Sequence, residues 1–157
     1  MRFLAASVAL YALVAPGSPA PEVRVRVEPA QTRVAIASVY LELSDLKVEA
    51  DTLVGSFELR VPLIPSKDDR GTLALPMDAP LEQCLRPGAT IRGLASSKTT
   101  DRVYPIACAV GPDGRVRIAV TTHDRTLEFT SRYTVLSSSQ PSSTSRIVRS
   151  TASMTPS

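Results

Sequence analysis

The chain has 157 residues, of which 43% are apolar, with 18 basic and 15 acidic side chains, a globular rather than disordered balance. Arg2, Arg146 and Arg149 lie near the two ends, whereas all 15 acids fall between Glu22 and Glu128. The central region therefore carries equal numbers of the two charges. It lacks the net field that concentrates phosphate backbones, so no nucleic-acid partner is expected.

Residues 1–20 read as a secretory signal peptide. Met1 and Arg2 supply the positive start, Phe3 to Ala15 an uncharged, largely apolar run, and Pro16 to Ala20 the small and turn-forming residues. The apolar run falls short of the roughly 20 residues a spanning helix needs. The mature chain is thus expected to have no transmembrane span and to be exported, periplasmic or secreted.

Residues 21–135 read as one all-β domain. Val23, Val25 and Val27 alternate with charged residues, the period of a half-buried strand. From Arg33 to Leu43 both faces are apolar, which predicts one central strand covered on both sides. Between Thr52 and Leu63, Leu53, Phe57, Leu59, Val61 and Leu63 share a face with Gly55. Ser66 to Gly71 is a turn, and there the adjacent Asp68 and Asp69, beside Lys67 and Arg70, read as solvated turn residues rather than an acid–base pair. Pro80 to Arg86 is the best helical stretch. Cys84 and Cys108 are the two cysteines, and in an oxidising compartment a single disulfide between them is expected.

The clearest pattern lies at 102–135, which predicts a three-stranded antiparallel meander. Gly111-Pro112-Asp113-Gly114 suits a type I turn ending on a left-handed glycine, the three-residue hairpin with a bulge. That turn sets Val110 opposite Val116, Cys108 opposite Ile118 and Ile106 opposite Val120, all on one face. A second turn pairing His123 with Thr126 would put Val120 opposite Phe129 and Val116 opposite Tyr133. Pro105 has no N–H for a ladder, so its strand should be an edge or carry a bulge there. The whole predicts a small antiparallel sandwich or barrel of about seven to nine strands. Residues 136–157, with nine serines and three threonines, read as a disordered tail.

The inventory for catalysis is thin. His123 is the one histidine, and it falls at a predicted turn tip, where side chains are solvated and poorly held. No G-x-S-x-G elbow, phosphate-binding glycine loop or Cys-x-x-Cys spacing occurs. The register above gathers Asp101, His123 and Asp124 at one end of the meander. One imidazole and two carboxylates are a weak candidate metal site, with Arg102 and Arg125 beside them as compensating charges. The residues therefore point to no cofactor and to a non-enzymatic exported β-domain with a binding or structural role at the cell envelope, its partner an envelope or extracellular macromolecule. The alternative is a carrier of a small apolar ligand inside the β unit. A hydrolase or metal-dependent enzyme using His123 is the remote third reading.

Overall fold

A computed structural model describes residues 21–137. The signal peptide expected at 1–20 and all but the first two residues of the tail expected at 136–157 lie outside the described residues. Nine strands follow in chain order: β1 (Val23–Val27), β2 (Ala30–Val34), β3 (Ala37–Glu49), β4 (Thr52–Arg60), β5 (Asp69–Pro76), β6 (Thr90–Ser97), β7 (Val103–Val110), β8 (Arg115–Thr121) and β9 (Thr126–Ser137). A 3₁₀ turn spans Pro65–Lys67, and the helix α1 spans Leu81–Cys84, inside the predicted helical stretch.

Neighbouring strands pair antiparallel from β2 through to β9, and β1 pairs with both β9 and β3. Val25, for example, faces Val135 on one side and Leu46 on the other. Eight strands thus close into a barrel, and β2 is an extra strand laid along the start of β3. Of the two architectures open in the sequence, the barrel is the one formed. β3 can serve two strands on one edge because it is long and bent. Its pairing with β4 shifts register between Ser44 and Lys47, where Asp45 takes a φ of 54°, and such a bulge turns a strand locally.

The inside of the barrel is a packed core. Phe129, Ile118, Leu73, Leu75, Leu41 and Ile106 are among its side chains, and core residues retain only 1–8% of their exposure. The 77–89 connection lies over one end. Met77, Ala79, Leu81 and Leu85 pack against the core, and Tyr133 Oη on β9 donates to the Leu85 carbonyl at 3.2 Å. The β2–β3, β4–β5, β6–β7 and β8–β9 connections lie at the opposite end.

The meander forms as β7, β8 and β9, with Val110↔Val116, Cys108↔Ile118 and Ile106↔Val120 in the expected register. The first turn differs in one detail, since Asp113 as well as Gly114 is left-handed, at φ 58° and 70°. The second turn is two residues longer than expected. Thr121 pairs with Thr126, so Val120 faces Leu127 and Val116 faces Ser131. The Thr122 hydroxyl is the cause: it donates to the Arg125 carbonyl at 2.9 Å and accepts from the Arg125 N–H at 3.2 Å. An even shift preserves the face, so Phe129 still points inward.

Three further expectations are corrected. The stretch from Arg33 to Leu43 is a hairpin, not one strand, because Ala35 turns left-handed at φ 53° and reverses the chain at Ala35-Ile36. The strand from Thr52 stops at Arg60, where the Asp68 carboxylate takes the Val61 N–H at 2.7 Å, and Leu63 is left 69% exposed. Residues 136 and 137 belong to β9, with Leu136 opposite Arg24 and Ser137 opposite Val23. No helix among the described residues is long and apolar enough to cross a membrane.

Candidate functional site

The Cys84–Cys108 disulfide is not formed: both residues are free, buried thiols. Cys84 lies on α1 and donates its Sγ–H to the Ala79 carbonyl at 3.4 Å. Cys108 lies in the barrel wall between Ile91 of β6 and Ile118 of β8, where burial pushes its thiol pKa up to about 12. A thiol so placed forms little thiolate and is a poor nucleophile.

Asp101, His123 and Asp124 do not come together as a metal site; no group of three metal-ligating side chains does so among the described residues. His123 Nε2 meets Asp124 Oδ1 at 2.8 Å with the two side chains 69% and 62% exposed. Asp101 sits in the separate 98–102 connection. The extrapolated register that would join them fails because the β7–β8 ladder ends at Ile106↔Val120.

Pro105 is the reason. Val110 N–H bonds to Ala89 on the β6 side, so by strand alternation the odd-numbered residues of β7 turn their backbone groups toward β8. Pro105 is one of these and has no N–H to give the Thr121 carbonyl. The strand is neither an edge nor bulged there. It keeps its place beside Leu94 of β6 while β8 diverges.

The divergence opens a groove of about 550 Å³ lined by Arg102, Val103, Tyr104, Pro105, Thr121, Thr122 and His123. Its wall is held by a hydrogen-bond cluster under the 98–102 connection. The buried Ser97 hydroxyl donates to Asp69 Oδ1 and accepts from the Thr99 and Thr100 N–H groups at 3.1 and 2.9 Å. Thr100 Oγ1 lies 3.2 Å from Tyr104 Oη. A buried serine beside an aspartate could be mistaken for a nucleophile, but no imidazole is in its hydrogen-bond set, and its partners are those of a turn anchor.

A second depression, of about 320 Å³, lies on the outer face of β3 and β4 and is lined by residues that include Pro29, Tyr40, Glu58, Arg60 and Pro62. Arg60 Nε donates to Glu58 Oε1 at 2.7 Å, which holds the Glu58 carboxyl below the ordinary carboxylate range and raises the guanidinium.

No protein-family model, curated protein or solved structure matches the chain. The geometry alone therefore bears on function. Of the groove residues, only Arg102, His123 and Pro105 had any signal in the sequence. The proline inside an otherwise apolar alternating strand is the residue at the opening, although what it predicts is an edge or a bulge rather than a groove.

Proposed function

We propose that this barrel is a non-enzymatic binding module of the cell envelope that holds an extended segment of a macromolecular partner in the groove between β7 and β8. The observation that carries this reading is the interrupted ladder at Pro105. It leaves the Thr121 carbonyl without a ladder donor, between walls that are apolar at Val103 and Pro105 and polar at Arg102 and Thr122. An extended polypeptide supplies main-chain N–H groups to such an acceptor and side chains to such walls. The envelope location rests on the leader at 1–20.

The packed interior favours the outer surface over the alternative, a small apolar ligand carried inside the barrel. An enzyme built on His123 has less support still, because that imidazole is held only by an exposed carboxylate in a connection. The test is a pull-down from envelope extract with the intact protein and with Val103→Glu. A specific partner recovered by the first and lost by the second supports the groove. A partner held equally by both places the binding face elsewhere, and no partner at all removes the reading.

A further inference from the structure

We infer that the end of the barrel bearing Ile36, Leu63 and Ile64 docks onto an anionic lipid surface, a property that goes beyond the partner-binding groove. Ile36 stands at the tip of the β2–β3 hairpin and is 87% exposed; Leu63 and Ile64 in the β4–β5 connection are 69% and 45% exposed. Tyr40↔Arg60 pairing puts the turn before β3 and the connection after β4 at the same end of the barrel. Three protruding aliphatic side chains on adjoining turns are costly in water and are the apolar element of an interfacial anchor.

The turn that carries two of them is built, not loose. Ile64 N–H bonds to the Val61 carbonyl at 2.7 Å, Lys67 N–H to Ile64 at 2.8 Å, and the Asp68 carboxylate takes the Val61 N–H. Leu63 and Ile64 are thus presented outward with little ordering left to lose on docking.

Charge sets the choice of surface. Connections at this end (35–36, 61–68, 98–102 and 122–125) contain four basic residues, Lys67, Lys98, Arg102 and Arg125, against three acids. Of the strand residues next to these connections, the exposed Arg33 lies just before the hairpin tip, and Asp69 opens β5 with its carboxylate turned to the Ser97 hydroxyl. At the opposite end, 21–22, 50–51, 77–89 and 111–114 contain five acids, Glu22, Asp51, Asp78, Glu82 and Asp113, against the single base Arg86. A negatively charged bilayer attracts the first end and repels the second, so apolar contact and electrostatics orient the barrel the same way.

The chain has no tryptophan, so one introduced indole reports its own surroundings. Ile36→Trp and, separately, Asp51→Trp are made in the full chain and mixed with phosphatidylcholine vesicles with and without phosphatidylglycerol. The expected result is a blue shift and quenching by brominated lipid for the residue 36 reporter alone, strongest in anionic vesicles and weakened by salt. Adding Leu63→Ser and Ile64→Ser to that reporter should lower vesicle affinity about tenfold or more, with an unchanged urea midpoint showing that the barrel is intact. Should that variant fail to fold, Lys67→Glu serves instead and should weaken binding to anionic vesicles only. Equal response of the two reporters, or none at residue 36, overturns the proposal. So does self-association that the serine variant abolishes without any vesicle binding, which would assign the patch to a second copy of the chain.

Discussion

Gly71 and Gly93 are glycines because of what lies beside them rather than because of a turn. A Cβ on Gly71 would overlap the Ser96 carbonyl, and one on Gly93 the Ala74 carbonyl. Both contacts are backbone, which cannot swing away. Gly93→Ala should therefore destabilise the barrel by about 2–3 kcal/mol through overpacking, read as a lower urea midpoint with an unchanged slope. Gly88→Ala, although at φ 91°, meets nothing within 4 Å, so its cost should be the smaller one of conformation alone. Cys108 offers a second test with a definite sign. Its folded pKa of about 12 exceeds the ordinary 9.0, so the native state keeps a proton that the unfolded chain releases. The associated stability is whole below pH 9 and is lost as pH rises toward 12, at up to about 1.4 kcal/mol per pH unit. Urea unfolding at pH 8 and pH 10 should show the intact protein losing more than Cys108→Ala does. Alkylation after denaturation without reductant should label both cysteines; an unlabelled pair would mean that the disulfide forms after all.

Among the elements, the groove depends on a single missing donor. Pro105→Val restores an N–H opposite the Thr121 carbonyl and should carry the β7–β8 ladder one pair further. The expected outcome is a slowly exchanging amide at position 105, a narrower groove and weaker capture of the partner. A fast-exchanging amide there would show that something other than proline parts the strands. The same local view explains what could be read from the chain and what could not. The Gly111–Gly114 turn and the pairing of Cys108 with Ile118 were legible because glycine and proline mark the turn and alternation marks the face. The Ala35-Ile36 reversal was hidden because neither residue is a turn former, and an alanine at positive φ leaves no trace in the sequence. The two-residue error in β9 came from the Thr122 side chain, whose hydrogen bonds set the length of the turn. Ile36, inside the 33–43 stretch expected as one covered strand, and Leu63, expected on the face of Leu53 and Phe57, are exposed because each lies past a strand end that periodicity alone does not locate. Pro105 marks the irregularity but as an expected edge or bulge, not as a groove, and Asp101 is placed beside His123 only by extending a ladder that the proline ends.

At the scale of the molecule, closure is the property no local pattern encodes. Every pairing from β2 to β9 joins strands adjacent in sequence, so a sandwich and a barrel share all of them. The difference lies with β1, whose Val25 meets both Leu46 and Val135. That seam is extended beyond β1 by Glu28, which donates its N–H to the Arg132 carbonyl at 2.9 Å and accepts from the Ser131 hydroxyl. Joining residues 25 and 135 closes nearly the whole domain as a loop, and that entropy is repaid only once the intervening hairpins have shortened the effective chain. The seam should therefore form late in folding. Val25 is 7% exposed and belongs to the core, so Val25→Ala should cost about 2 kcal/mol at equilibrium. If closure is late, that loss should appear mainly as faster unfolding, with the folding limb of the chevron little changed. Ile118→Val, inside the local meander, should instead slow folding in proportion to its smaller cost. The opposite division, with Val25→Ala slowing folding by its full effect, would mean that β1 and β9 meet before the hairpins are complete and that the barrel is nucleated at its seam.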